Sequence, residues 1–276
     1  MLKNLQSKKT LHNGIEIPYV GLGVFQMKDP RETVEAVKTA IDSGYLSVDT
    51  AAVYKNEESV GEGVKESGAR REDLFITSKV WNSDQGYDTT LKAFETSLKK
   101  LDMDYMDLYL IHWPVEGKYN DTWKALERLY SEGLVKSIGV SNFHQHHLED
   151  LMNNSNEKPV INQIECHPRL NQEKLRTFCQ EENIAVEAWS PIAQGRVLDE
   201  PALKQIAEKH GKSSAQVILR WHLQNDVVII PKSVHANRIK ENADLFNFEL
   251  STDEMNQIND INQDERFGPD PDNFDF

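Results

Sequence analysis

The stretch that decides the fold reads DLYLIHWP and covers residues 107–114. Residues 108–113 form a short apolar run, which predicts a buried β-strand rather than an amphipathic helix. The run ends near His112, and a strand that faces the core has no structural use for a histidine at its end. We therefore predict a buried strand that carries a functional side chain at its carboxyl end.

Segments of this kind recur along the chain and alternate with helical stretches. Eight strands are predicted, at residues 21–25, 46–49, 74–79, 108–113, 136–141, 160–165, 185–189 and 227–232. Helical spacing is found between them, for example in the apolar residues Leu91, Phe94, Leu98 and Leu101. Eight strands that are each followed by a helix predict a (β/α)8 TIM barrel of the α/β class, with residues 1–276 as a single domain.

Local signals add an N-terminal β-hairpin and several helix ends. Residues 11–17 read as the hairpin, because the pair Asn13-Gly14 favours a type I′ turn. Residues 29–32 (DPRE) supply an N-cap, a first-turn proline and a capping-box glutamate, and Gly44 stops the helix that follows. Residues 213–216 and 251–254 read as capping boxes that open two further helices.

A doubly wound sheet with a dinucleotide-binding fingerprint is the main rival fold. That fingerprint needs the pattern G-x-G-x-x-G. Gly21 and Gly23 begin it but position 26 is a glutamine, and Gly61 and Gly63 fail likewise at Glu66. Both pairs are better interpreted as tight-turn or close-packing glycines. A dinucleotide bound here must therefore be held in another way.

Composition excludes several classes of function. The chain has 31 Lys+Arg against 45 Asp+Glu, a formal net charge of −14, so neither nucleic acid nor an anionic membrane is expected as a partner. No apolar run approaches the roughly 18 residues that span a bilayer, and residues 1–10 lack a signal-peptide core. Two cysteines give no disulfide framework, which suits a cytoplasmic protein. An anionic ligand would need a local basic cluster.

Polar residues stand at the carboxyl ends of the predicted strands, namely Asp49, Lys79, His112, Ser141, Asn142, Gln163, Lys232 and Ser233. In a closed barrel these ends share one rim, which is where such enzymes place their active sites. Each residue alone has an ordinary explanation, such as a turn cap, a solvated lysine or a core histidine. Their occurrence on successive strand ends, with Tyr54 five residues after Asp49, favours a catalytic site.

These residue types suit the reduction of a carbonyl group, which needs a hydride on carbon and a proton on oxygen. A tyrosine with an ordinary pKa of about 10 stays protonated at neutral pH and can donate that proton. A nearby ammonium such as Lys79 is expected to lower the pKa of Tyr54, while Asp49 holds the lysine charged and oriented. His112 can position the substrate oxygen and stabilise the charge that develops on it.

Three motifs carry a family resemblance: residues 49–57 (DTAAVYKNE), 74–79 (LFITSK) and 107–114 (DLYLIHWP). They are similar to the signatures of the aldo-keto reductases, and the resemblance covers almost the whole chain, closest to the bacterial glyoxal and 2,5-diketogluconate reductase branch. It implies a catalytic tetrad of Asp49, Tyr54, Lys79 and His112. It also implies NADPH-dependent reduction of small aldehydes and ketones, with glyoxal and methylglyoxal as expected substrates.

The resemblance further implies where NADPH binds. The residues expected at the nicotinamide and pyrophosphate are Ser141, Asn142, Gln163, Trp189, Ser190, Pro191, Ile192, Gln194 and Gly195. Those expected at the adenosine end are Lys232, Ser233, Val234, Arg238, Glu241 and Asn242. Within this set Lys232 and Arg238 form the basic cluster, and a guanidinium can grip the 2′-phosphate that only NADPH carries. Many relatives have an arginine where His235 stands, which leaves some use of NADH open.

The substrate pocket is expected to be lined by Val24, Phe25, Val53, Trp81 and Trp113, given their place on the same rim. Eukaryotic relatives carry longer C-terminal loops that shape specificity. The short tail at residues 269–276 therefore predicts an open mouth and small substrates, and a monomer is expected.

Two groups of residues are not assigned a function. His144, His146 and His147 lack the i, i+4 spacing of a zinc helix, so no metal is expected. Cys166 and Cys179 are expected to be buried and inert. Two other functions stay open: a redox-sensing module that holds NADPH without turnover, and a barrel hydrolase or isomerase. The latter is disfavoured because no paired carboxylates or metal cluster lie on the strand ends.

Overall fold

The computed structural model describes residues 2–276. Its first element is a two-stranded antiparallel hairpin. Strand β1 (Lys8–Thr10) pairs with β2 (Glu16–Pro18), which confirms the predicted hairpin. The turn is not of type I′, because that turn needs a positive φ at both central residues and Asn13 has none. Instead the Gly14 N–H donates to the Leu11 carbonyl at 2.9 Å, and Gly14 follows the turn at φ +84°.

Eight further strands form one parallel sheet, as predicted. In chain order and in spatial order they are β3 (Leu22–Gly23), β4 (Ser47–Asp49), β5 (Phe75–Val80), β6 (Leu108–Ile111), β7 (Ile138–Ser141), β8 (Ile161–Glu165), β9 (Ala185–Trp189) and β10 (Val228–Ile229). The sheet closes because Val20 forms a parallel bridge to Ile229. The Gly21 N–H donates to the Ile229 carbonyl at 2.9 Å, and the Ile229 N–H donates to the Tyr19 carbonyl at 2.9 Å. The fold is therefore a (β/α)8 barrel.

At least one helix follows each strand of the barrel. The helices are α1 (Pro30–Asp42), α2 (Glu57–Ser67), α3 (Tyr87–Leu101), α4 (Tyr119–Ser131), α5 (Gln145–Asn153), α6 (Glu173–Glu181), α7 (Pro201–His210), α8 (Ser214–Gln224), α9 (Ala236–Ala243) and α10 (Thr252–Asn259). Asp29 caps α1, and capping boxes led by Ser213 and Ser251 open α8 and α10, which confirms the predicted helix starts. Within residues 2–276, no helix is both long and apolar enough to cross a membrane.

The two glycine pairs serve close packing. A Cβ on Gly23 would lie 2.6 Å from the carbonyl oxygen of Ile230, and one on Gly61 would lie 2.2 Å from that of Leu101. Real Cβ atoms do not approach backbone oxygens so closely. These positions therefore need glycine so that neighbouring elements can pack, which agrees with the rejection of a phosphate-binding fingerprint.

Candidate active site

A cavity of about 1070 Å³ opens at the carboxyl ends of the barrel strands. Of the residues predicted for the site, it is lined by Phe25, Asp49, Val53, Tyr54, Trp81, His112, Trp113, Ser141, Asn142, Gln163, Trp189, Ser190, Pro191, Ile192, Gln194, Gly195, Lys232, Ser233, Val234, Arg238, Glu241 and Asn242. This volume slightly exceeds the usual range for ligand sites, about 300–1,000 Å³, and suits a large cofactor beside a small substrate.

Lys79 lies beneath the cavity rather than on its wall. Its side chain is fully buried, and its ammonium donates to Asp49 Oδ1 at 2.6 Å and to the Thr50 carbonyl at 2.9 Å. Burial by itself would lower the pKa of Lys79, but the surrounding groups, with Asp49 first among them, together outweigh burial and raise the net pKa. The lysine is therefore a fixed positive charge under the cavity floor.

Tyr54 reaches the cavity because β4 ends at Asp49 and the chain then forms a short 3₁₀ turn, Ala52–Tyr54. Its ring centroid lies 5.3 Å from the Lys79 ammonium and 5.7 Å from the His112 ring. Burial raises the pKa of Tyr54, and the opposing effect of Lys79 does not reverse this. The expected net lowering is therefore wrong, because burial outweighs the lysine charge and Asp49 offsets part of that charge. The hydroxyl stays protonated.

His112 follows β6 directly and meets Tyr54 and Trp81 edge to face. Burial, together with the Lys79 charge, holds the pKa of His112 well below its usual range, so the imidazole is neutral. Its Nδ1 is buried and has no hydrogen-bond partner among the described residues. The ring of His112 nevertheless lines the cavity beside Tyr54, so Nε2, the other ring nitrogen, is the atom that can meet a substrate oxygen.

Four residues predicted at the nicotinamide are linked by hydrogen bonds. Trp189 Nε1 donates to Asn142 Oδ1 at 2.8 Å, and Asn142 Nδ2 donates to the His112 carbonyl at 3.0 Å. Ser141 Oγ donates to the Gln163 carbonyl at 2.8 Å. Trp189 is half-buried on the cavity wall and not in the core, so the alternative of an ordinary core tryptophan is excluded.

The Gln163 amide presents only an acceptor to a ligand. Its Nε2 donates to Asp49 Oδ2 at 2.8 Å and to Glu187 Oε2 at 2.6 Å, so both amide protons are committed to carboxyl groups. Oε1 is then the atom that can meet a ligand, and it matches the NH₂ group of a carboxamide. The residues present therefore fit a nicotinamide.

Glu187 is a buried carboxyl group that sequence analysis did not assign. It lies in β9, is 2 % exposed and contacts the site through Gln163. Burial, and next the Asp49 carboxylate, raise its pKa to about 8. Glu187 therefore keeps its proton at neutral pH beneath a site that already holds the charged Asp49.

We expect replacement of Glu187 by glutamine to change how stability depends on pH. Between the ordinary pKa of 4.5 and the folded value of about 8, the native state holds a proton that the unfolded state has released. The free energy of unfolding then falls as pH rises, by up to about 1.4 kcal/mol per pH unit. The stabilisation by protonated Glu187 is fully present only below about pH 4.5. Glu187→Gln lacks this loss, so the Tm difference (variant minus wild type) should grow from pH 6 to 8.5. Parallel Tm curves would contradict the prediction.

The predicted pyrophosphate segment has an unusual backbone. Ser190 and Gln194 take left-handed conformations at φ 47° and 55°, where non-glycine residues are uncommon. Strain of this kind clusters at ligand-binding segments. Ser190, Pro191, Ile192, Gln194 and Gly195 all line the cavity, so the segment lies where an extended ligand would cross it.

The adenosine-end residues lie at the other side of the cavity, around the start of α9. Lys232 and Arg238 are exposed on its wall, and neither has a carboxylate partner within residues 2–276, whereas the nearby Lys212 pairs with Asp244. Two cations without partners suit a phosphate group. His235 also lines the cavity, where it can be reached by the same ligand.

One predicted substrate residue is corrected. Val24 does not line the cavity, because its side chain is fully buried in the core. Its neighbour Phe25 points outward, is 52 % exposed and lies 5.0 Å from the Tyr54 ring. Trp81, Trp113 and Val53 line the cavity as predicted.

Several further parts of the wall were not predicted from the sequence, among them the start of α8 and the C-terminal tail. The start of α8, Ser213 to Ala215, lines the cavity, and Ser213 Oγ donates to Glu241 Oε1 at 2.5 Å. The capping-box pattern was visible there but its position beside the cavity was not. Residues 267–269 and Phe276 of the C-terminal tail also line the cavity, so the mouth is narrower than the expected open one.

The unassigned cysteines are buried, as expected. Burial raises the pKa of Cys166 to about 11 and that of Cys179 to about 12, so both thiols stay protonated. Since the thiolate is the reactive form, neither is a candidate nucleophile.

Comparisons with known proteins agree with this geometry. The model of the Aldo/keto reductase family matches residues 19–263. The chain is 60% identical to the glyoxal reductase of Bacillus subtilis, over 99% of both chains, and 47% identical to the methylglyoxal reductase DkgA of Escherichia coli, over 96% of both. A crystal structure of a Gox0644 variant in complex with NADPH matches with a TM-score of 0.94 at 47% identity, over 98% of this chain and 99% of that one. The chain therefore belongs to the aldo/keto reductase family and is an oxidoreductase that reduces carbonyl groups.

Proposed function

We propose that this protein reduces small aldehydes and ketones, among them glyoxal and methylglyoxal, to alcohols with NADPH. The observation that carries the proposal is the convergence of Asp49, Tyr54, Lys79 and His112 at one end of a single large cavity. Relatives named for glyoxal and methylglyoxal reduction, and a neighbour solved with NADPH, support the choice of substrates and cofactor.

Tyr54 is the proposed proton donor and His112 the proposed orienting group. The reduced nicotinamide, when bound beside Trp189, supplies the hydride that the carbonyl carbon accepts. The neutral imidazole of His112 hydrogen-bonds the carbonyl oxygen, which receives its proton from the Tyr54 hydroxyl. The C=O double bond becomes a C–H and an O–H bond, and the tyrosine is left as a phenolate.

Lys79 stabilises that phenolate. Its ammonium is held 5.3 Å from the Tyr54 ring by the bond to Asp49, so no reorganisation is needed when negative charge develops. Asp49 acts through Lys79, since it keeps the buried lysine charged. The high pKa of free Tyr54 keeps the proton in place until the oxygen of the substrate becomes basic.

Cofactor choice follows from Lys232 and Arg238. Both are exposed on the cavity wall, where an additional phosphate of the cofactor can pair with them. We further propose that residues 1–276 act as one domain, as a monomer and in the cytoplasm, without nucleic acid or membrane partners.

The first experiment is to follow oxidation of the reduced cofactor by its absorbance, with methylglyoxal, glyoxal and an aromatic aldehyde. Each assay is run with NADPH and with NADH. We expect turnover with all three carbonyls and a clear preference for NADPH. Tight NADPH binding without turnover of any carbonyl would reject the reductase and favour a module that senses the cofactor.

A further inference from the structure

The C-terminal tail, residues 267–276, is fastened to the rim of the barrel beside the cavity. Glu165, the last residue of β8, accepts the backbone N–H of Phe267 at 2.8 Å and that of Gly268 at 3.1 Å. Gly268 lies against the Trp189 indole so closely that a Cβ would come within 2.4 Å of the ring. The tail thus begins at the face of the proposed nicotinamide site.

The tail ends in an aromatic wall, which we define as Trp81, Trp113, Phe274 and Phe276. Phe276 stacks on Trp81 at 5.6 Å and an angle of 6°, and it meets Trp113 edge to face at 5.3 Å. Asn82 Nδ2 donates to the Phe276 carbonyl at 3.0 Å. Since Phe276 lines the cavity, the tail supplies part of the apolar surface that a carbonyl substrate meets.

Between these two regions, Asp272 is the centre of three imidazole contacts. Its carboxylate lies 2.9 Å from His144 Nδ1, 3.1 Å from His146 Nε2 and 3.5 Å from His147 Nε2. The three histidines lie at the start of α5. Only residues 142 and 143 separate His144, the N-cap of this helix, from the end of β7, and Asn142 is one of them. The cluster therefore joins the tail to a strand end of the proposed nicotinamide site.

Three histidines and a carboxylate also resemble a metal site, but the outer ring nitrogens argue against one. His144 Nε2 faces the Arg266 guanidinium at 3.0 Å, and His147 Nδ1 accepts the His144 backbone N–H at 3.1 Å. A guanidinium and an amide can only donate, so the outer nitrogens of these two rings accept, and the ring N–H groups face Asp272. A ligating histidine shows the reverse, with its lone pair toward the metal and its N–H donated outward. Burial lowers the pKa of His147 to about 4, which keeps that ring neutral.

We propose that Asp272 is a positioning residue, which hydrogen-bonds His144, contacts the rings of His146 and His147, and thereby holds the aromatic wall over the substrate end of the cavity. The wall then binds the apolar body of aromatic carbonyls and adds nothing for a substrate as small as methylglyoxal. The selectivity part of this inference rests on the proposed function. The docking of the tail does not, so the two can fail separately.

The first test measures docking without catalysis, as the rate at which a carboxypeptidase specific for aromatic residues releases Phe276. Asp272→Ala removes every acceptor of the cluster, and we expect release about tenfold faster, since several half-exposed polar contacts are lost. The matched control is Asn273→Ala, because Asn273 is exposed in the same tail, its side chain forms no hydrogen bond within residues 2–276, and it is not one of the two residues joined by the bond that is cleaved. Equal rates for both variants would overturn the proposal.

A second variant keeps the test independent of any misfolding of Asp272→Ala. The His146 side chain is 62% exposed, so His146→Ala leaves the core intact and should accelerate release in the same direction by a smaller factor. If near-ultraviolet circular dichroism shows that Asp272→Ala is unfolded, the test depends on His146→Ala alone. An unchanged rate of Phe276 release in His146→Ala would then reject the proposed role of Asp272.

Selectivity is tested by KM and kcat with benzaldehyde and with methylglyoxal. In Asp272→Ala we expect KM for benzaldehyde to rise about fivefold with kcat unchanged, because the wall binds the substrate and the transition state equally well. The kinetics with methylglyoxal should be unaffected. A fall in KM for benzaldehyde would mean that the tail obstructs the cavity, against the proposal. Zn²⁺ titrated calorimetrically should not bind; stoichiometric binding that Asp272→Ala abolishes would make the cluster a metal site instead.

Discussion

Replacing Tyr54 with phenylalanine should lower kcat by about 10²- to 10⁴-fold, which is the usual contribution of a positioned general acid. The ring, its contact with His112 and its packing against Phe25 are retained, so the cavity keeps its shape. Only the hydroxyl that carries the transferable proton is lost. We therefore expect the Kd of NADPH, measured by quenching of tryptophan fluorescence, to stay within about twofold of wild type.

The matched control is Tyr109→Phe. Tyr109 lies in β6, and its hydroxyl is buried without a hydrogen-bond partner among the described residues. Removing an unpaired buried hydroxyl is neutral or stabilising, so this variant should retain full activity. If Tyr54→Phe also kept full activity, Tyr54 would not be the proton donor, and His112, which lines the same cavity, would become the next candidate.

The sequence was sufficient for the order of the strands and for placing Asp49, Tyr54 and His112 together at one rim, because both depend on local order. Asp49 and His112 stand at or beside the ends of apolar runs, and a barrel brings all strand ends together. Strand lengths were overestimated where the ladder is short, as in β3 with its two residues. That error misplaced Val24, whose side chain turns into the core while Phe25 turns outward.

Other features depended on distant parts of the chain and left no local signal. Glu187 looks in the sequence like any other residue of a strand. Its pKa is raised by burial and next by Asp49, and both depend on parts of the chain that are remote in sequence. The pKa of Tyr54 likewise depends on the balance between burial and the opposite charges of Lys79 and Asp49. The spacing of these residues in the sequence does not reveal that balance. Asp272 meets the three histidines only because the tail returns across the barrel rim.

Arg238→Ala should raise the Kd for NADPH by about 10- to 100-fold and leave NADH nearly unchanged. Charge-assisted hydrogen bonds are worth about 1.5–3 kcal/mol each, and the exposed position of Arg238 reduces this toward the lower end. Lys232 remains on the same wall, so the preference for NADPH should shrink rather than vanish. Added salt should weaken NADPH binding to wild type more than to the variant, because screening acts on the contact that the variant lacks.

Lys240→Ala is the matched control, since Lys240 is exposed on the same helix α9 but is not part of the cavity wall. Both variants remove one positive charge, so a general change in the field of this acidic protein would affect NADPH equally in the two. A selective loss in Arg238→Ala therefore separates direct phosphate binding from long-range attraction. If NADH binding weakened as much as NADPH binding, Arg238 would act on a part common to both cofactors, and the basis for cofactor choice would have to lie with Lys232 or His235.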